Sequence, residues 1–187
     1  MKRLIIVLLF TALIFTGCQS GANTTNDAST DQIDSQSETT GEENPAEGID
    51  LSDLIIKTYD GNKVDKDTFN NNKLTVLNLW ATWCGPCVEE MPDLQKVSES
   101  YKGKDVQVHG LAVDSSEDEV IALKEQLNIT YPLLKENEEV KEVLISKFDY
   151  VPVTLFVNSD GKILKTFVAG SISEEDLTKL IEGIINE

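Results

Sequence analysis

Leu74-Thr75-Val76-Leu77-Asn78-Leu79-Trp80-Ala81-Thr82-Trp83-Cys84-Gly85-Pro86-Cys87 is the stretch from which the rest of the chain can be read. Residues 74–80 form a nearly continuous apolar run, the pattern of a central strand buried on both faces. From Cys84 to about Tyr101 the period becomes helical, with Val88, Met91, Leu94 or Gln95 and Val97 or Ser98 recurring at three- and four-residue spacing. The two cysteines therefore stand where a strand hands over to a helix. Gly85 permits a tight entry, and Pro86 suits the first turn, where its missing N–H costs nothing. Pro92 is predicted to kink the helix.

That location has chemical consequences. A thiolate, not a thiol, attacks a disulfide, and the unpaired N–H groups and positive dipole end of a helix N-terminus favour the anion of Cys84. Cys87 lies one turn on and on the same side, within reach of an intramolecular disulfide. Cys84 is expected to attack and Cys87 to resolve. The competing reading is half of a zinc site, which needs four ligands; the domain offers these two cysteines and His109.

Working outward, residues 51–59 and those after Asp60-Gly61 read as a short hairpin added to the N-terminal side of the sheet, since Asp-Gly suits a tight turn. Residues 106–113 read as a second apolar strand, 117–127 as an amphipathic helix, 131–134 as a short extended piece and 138–148 as another helix. Strands 153–157 and 163–167 form a hairpin through Asn158-Ser159-Asp160-Gly161. Ser173 caps a last helix running to Ile185, with Asp176 in its first turn. Strands alternating with helices imply an α/β fold with a mixed β-sheet flanked by helices. There is no internal repeat.

The first residues read as an address. Lys2 and Arg3 precede an apolar run, 4–15, that is too short for an ordinary membrane span. Phe15-Thr16-Gly17-Cys18 then resembles a bacterial lipoprotein signal, with residues 1–17 removed and the Cys18 sulfur lipidated. An uncleaved anchor is the alternative. Either way the expected location is the extracytoplasmic face of the membrane, and lipidation accounts for the third cysteine. Residues 18–48 read as a lipid-anchored, disordered acidic linker: from 19 to 48 there is no lysine or arginine, and Ile33 is the sole large apolar residue. Such a tether spans on the order of 30 Å. Residues 49–187 remain as one domain.

The formal net charge of the chain is −17. Without Lys2 and Arg3, and without the seven acidic residues of the linker, the domain carries −12. Such acidity argues against nucleic acid and against adsorption to anionic lipid.

The run 78–92, together with Val151-Pro152, resembles the thioredoxin superfamily, and more closely its membrane-tethered TlpA and ResA-like branch. The resemblance covers 51–187, including the Asp60-Gly61 hairpin and an extra strand and helix between Val113 and Val151. It implies a thioredoxin-like fold with a cis bond before Pro152, which would lie against the cysteines. The backbone of Val151 would pair with an extended substrate, alongside Trp83, Gly85 and Pro86. A plain turn proline is the other reading of Pro152. Val153 stands where many relatives have threonine.

Asn78 occupies the position of the aspartate of plain thioredoxins, and an amide cannot take up a proton at neutral pH. The resemblance points to Glu90 as the acid–base group for Cys87; the other reading is a solvated glutamate beside Glu89. Trp80 is expected as a packing floor, Trp83 as a partly exposed cover, and His109 and Met91 as structural.

With no nucleotide, flavin or metal motif, the dithiol itself is expected to be the redox group, without a cofactor. The family implies a thiol-disulfide oxidoreductase, and Gly-Pro between the cysteines resembles its reducing members. Electrons would come from a transmembrane thiol reductase of the cytochrome-c-biogenesis type. Substrates would be oxidised extracytoplasmic proteins such as apocytochrome c or methionine sulfoxide reductase. A peroxidase would want Thr-x-x-Cys and an activating arginine, whereas the sole arginine is Arg3. A copper-binding chaperone would want wider cysteine spacing and a downstream histidine.

Overall fold

The apolar run ahead of the cysteines is the middle strand of a five-stranded sheet. The computed structural model describes residues 43–186. Within them β1 (Ile56–Lys57) and β2 (Lys63–Val64) are followed by α1 (Lys66–Asn70), β3 (Leu74–Trp80) and α2 (Gly85–Ser100). Then come β4 (Val106–Ala112), α3 (Glu117–Gln126), β5 (Leu133–Lys135) and α4 (Glu138–Val143), and a 3-10 turn at Ile145–Lys147. The chain closes with β6 (Val153–Asn158), β7 (Ile163–Ala169) and α5 (Glu174–Ile185).

The main sheet has the order β5-β4-β3-β6-β7. β3 pairs parallel with β4 and antiparallel with β6, so the sheet is mixed. All positions of β3 are buried, as an apolar run without alternation requires. Two polar residues, Asn78 and Thr154, face each other across β3 and β6 in direct register. α2 and α5 pack together, with Met91, Leu94 and Val97 of α2 and Leu177 and Ile181 of α5 buried in the core. α2 runs through Pro92 as one continuous helix.

Three sequence expectations are corrected. The hairpin does not extend the main sheet; β1 and β2 form their own two-stranded sheet. It is joined to β5 next to its turn, where Tyr59 N–H donates to the Leu133 carbonyl over 2.9 Å and Thr58 bridges to Leu134. The turn itself is closed by the Thr58 side chain, whose Oγ1 accepts from Asn62 N–H at 2.9 Å, and by Gly61 at φ +82°. The helix expected over 138–148 stops at Val143 and tightens, with the Ser146 hydroxyl donating back to the Glu142 carbonyl over 2.7 Å.

The third correction concerns where order begins. The linker was expected to run to Gly48, yet Asn44 and Ala46 are buried. Asn44 Nδ2 donates to the Leu164 carbonyl over 2.8 Å, and Gly48 N–H to the Ile163 carbonyl over 2.9 Å. Polar composition hid these contacts because they are made by backbone groups and an amide along β7. The expected signal segment, Cys18 and the tether up to residue 42 lie outside the described residues. Among the described residues no helix is long and apolar enough to cross a membrane.

Candidate active site

β3 ends at Trp80, and four residues later Cys84 is the N-cap of α2. Cys84 and Cys87 are joined as a disulfide, their Cα atoms 5.3 Å apart. Cys84 Sγ accepts from the Cys87 N–H at 3.2 Å, so the outer sulfur satisfies one of the unpaired amides of the helix start. That amide is equally placed to stabilise the thiolate once the bond opens. Cys87 is fully buried and Cys84 nearly so.

Gly85 and Pro86 form the first turn of α2, as expected. The Val151–Pro152 bond is cis, and the Val151 carbonyl oxygen stands 3.7 Å from Cys84 Sγ. Gly170 N–H donates to the Pro152 carbonyl at 2.9 Å, and the Ser171 hydroxyl to the Pro86 carbonyl at 3.3 Å. The segment ahead of α5 thereby ties the proline loop to the start of α2.

Trp83 is 65 % exposed, its indole Nε1 held by the Asp114 carbonyl at 3.1 Å. Its ring forms one wall of an apolar recess of about 140 Å³, together with Leu79, Val113, Ile145, Phe148 and Val151. Trp80 is fully buried, consistent with a packing floor, and Met91 and His109 are also buried. Burial alone pulls the His109 imidazole down to about 4, so it is neutral at physiological pH.

Glu90, one turn beyond Cys87, is not a solvated glutamate. It is 4 % exposed. Its Oε1 accepts from Asn78 Nδ2 at 2.9 Å and its Oε2 from Ile172 N–H at 3.0 Å. Burial pushes the carboxyl up to about 7, against the opposing pull of these two donors and with a further push from Asp93. A carboxyl poised near neutrality on the cysteine helix can give and take a proton at working pH.

The sequence reading missed Thr154, to which Asn78 Nδ2 also donates at 3.1 Å, and the Ile172 amide. Asn78 and Thr154 were visible as polar residues inside apolar runs, and buried polar groups need partners. The Ile172 amide left no such trace. Among the described residues no cluster of three or more His, Cys, Asp or Glu side chains is arranged to hold a metal.

Residues 48–166 match the AhpC/TSA family along most of the domain. The chain belongs to the AhpC/TSA family. A curated relative, the thiol-disulfide oxidoreductase ResA of Oceanobacillus iheyensis, is 32 % identical over 130 residues. That match covers 67 % of this chain and spans 64 % of the relative's length. Two solved structures share the thioredoxin-like fold. The thiol:disulfide interchange protein of Chlorobium tepidum aligns with a TM-score of 0.62 at 20 % identity, over 76 % of this chain and 97 % of its own. StoA of Bacillus subtilis aligns at 0.57 and 19 %, over 67 % and 93 %. With this membership, relatives so named and its own closed Cys84–Cys87 pair, the chain is a thiol-disulfide oxidoreductase.

Proposed function

We propose that this protein reduces disulfides of other proteins outside the cytoplasm, held at the membrane through Cys18. The observation that carries the catalytic part is a cysteine sulfur capping a helix N-terminus beside the Val151 carbonyl, with a buried near-neutral Glu90 one turn beyond its partner cysteine. The location rests on the sequence alone, through Lys2, Arg3, the apolar run and the small residues before Cys18.

In the reduced enzyme the Cys84 thiolate attacks one sulfur of a substrate disulfide. An S–S bond forms to Cys84, the substrate's S–S bond breaks, and one substrate thiolate leaves and is protonated from water. The Cys87 S–H bond then breaks, with its proton passing to the Glu90 carboxylate. The Cys87 thiolate displaces the second substrate thiolate from Cys84, closing the disulfide seen in the structure. Two electrons have moved from the dithiol to the substrate. A protein dithiol, of the transmembrane thiol-reductase class, must return them, and Glu90 releases its proton to solvent or to the departing thiolate.

The dithiol needs no further cofactor in this cycle. The apolar recess beside Trp83 suits an extended segment flanking a substrate cysteine, with apocytochrome c and methionine sulfoxide reductases as the candidate partners. Thr82 lies two residues before Cys84, not three, and the domain carries no arginine, which disfavours a peroxidase. Cys87→Ser should strand substrates on Cys84 as mixed disulfides that can be isolated from membranes. A reduction potential near −270 mV would support the reducing direction, and one near −120 mV would overturn it.

A further inference from the structure

Glu90 is held from two sides by donors of different kinds. Oε2 faces Ile172 N–H, which can only donate. Oε1 faces Asn78 Nδ2, and the same Nδ2 faces Thr154 Oγ1. Asn78 is fully buried, yet its Oδ1 has no partner among the described residues. The two ends of an amide are nearly isosteric, so a half turn about the Cβ–Cγ bond exchanges a donor for an acceptor at almost no change in shape.

We infer that Asn78, backed by Thr154, is a positioning residue that presents opposite ends to Glu90 in its two protonation states and so holds the carboxyl in one place through the cycle. This inference rests on Glu90 acting as the proton acceptor for Cys87. While Glu90 is ionised, Nδ2 donates one N–H to Oε1 and the other to Thr154 Oγ1. When the Cys87 S–H bond breaks, the new O–H bond forms on Oε1, because the Ile172 N–H occupies Oε2 and cannot accept. A donor would then confront a donor across 2.9 Å. The half turn brings Oδ1 to that point, where one lone pair accepts from Glu90 and the other from the Thr154 hydroxyl, now rotated to donate. One proton leaves Cys87 and one arrives on Glu90; Asn78 and Thr154 keep all of theirs, and no electrons move in this step.

The register of β3 on β6 fixes Thr154 directly across from Asn78, so the hydroxyl that must reverse its role cannot drift away. A hydroxyl suits the task because it both donates and accepts. The titratable groups facing Glu90 are Cys87 and Asp93 on its own helix and the Tyr131 phenol from the segment ahead of β5. β3 and β6 contribute Asn78 and Thr154, neither of which titrates. An aspartate at position 78 would be a poor substitute, since two carboxylates within hydrogen-bond distance share a proton and titrate as a pair.

The test is nuclear magnetic resonance of the reduced full chain between pH 5 and 9, following the Glu90 carboxyl carbon and the Asn78 side-chain amide together. In the wild type the amide signals should move with the same midpoint as the carboxyl. In Glu90→Gln, whose Nε2 donates at every pH, the amide signals should be flat and should match the wild-type low-pH position. Asn78→Asp should displace the Glu90 midpoint by about one pH unit or more. An Asn78 amide that stays constant while Glu90 titrates would overturn the inference and leave the Glu90 reading intact. A Glu90 carboxyl that does not titrate in this range would overturn both.

Discussion

Glu90 and His109 are buried titratable side chains whose effects on stability oppose each other with pH. The Glu90 carboxyl rises from 4.5 to about 7 on folding, so between those values the folded chain holds a proton that the unfolded chain has released. Its contribution is present below pH 4.5 and is lost by pH 7, on the order of 3 kcal/mol. His109 falls from 6.5 to about 4, so its contribution is present above pH 6.5 and is lost as pH drops to 4, again on the order of 3 kcal/mol. The two nearly cancel between pH 4.5 and 6.5. Urea unfolding of the wild type should therefore be nearly flat in that window. In Glu90→Gln stability should climb from pH 4 to 6.5, and in His109→Phe it should fall from pH 4.5 to 7. Glu90→Gln should also slow thiol exchange at pH 7 by about a hundredfold and remove its inflection near neutrality, as stopped-flow fluorescence would read. Cys84 and Cys87 were legible in the sequence through their spacing at a helix start, and Glu90 through its place one turn further on together with the family resemblance. Thr154 and the Ile172 amide were not, because they reach Glu90 from other parts of the chain.

At the level of elements, α2 gives its two cysteines unequal environments. Cys84 Sγ already receives an amide hydrogen bond at the helix start, whereas Cys87 is the more deeply buried of the two. In the reduced protein, iodoacetamide at neutral pH should label Cys84 about tenfold faster than Cys87, read by mass spectrometry of timed samples. The contact of β4 with β5 is equally exacting. A Cβ on Gly110 would stand 2.9 Å from Leu133 Cδ2, 3.1 Å from Trp80 Nε1 and 3.2 Å from the Tyr131 ring. Gly110→Ala should thus cost about 1–3 kcal/mol by chemical denaturation. The sequence located β3, β4, β6 and β7 well because long apolar runs leave little choice. It misplaced the hairpin because β1 and β2 are two residues each, and their partner was decided by backbone contacts and not by pattern.

Over the whole molecule, the segment from Asn44 to Gly48 fastens the start of the domain to β7. A chain beginning at Ile49 loses the buried Ala46 and the two hydrogen bonds to β7 that a chain beginning at Glu43 keeps. That is worth about 2 kcal/mol. By calorimetry the shorter chain should melt roughly 5 °C below the longer one.

The sequence by itself determined the α/β class, the strand-to-helix junction and the dithiol on it, since each follows from local periodicity, capping and spacing within a few residues. Only the tertiary structure decided what surrounds Glu90. Asn78, Thr154 and Ile172 meet there because β3, β6 and the approach to α5 converge on one side of α2, and side chains 76 positions apart become neighbours only when a sheet closes. Those contacts turn a thioredoxin-like cysteine pair into one with a held, near-neutral carboxyl beside it.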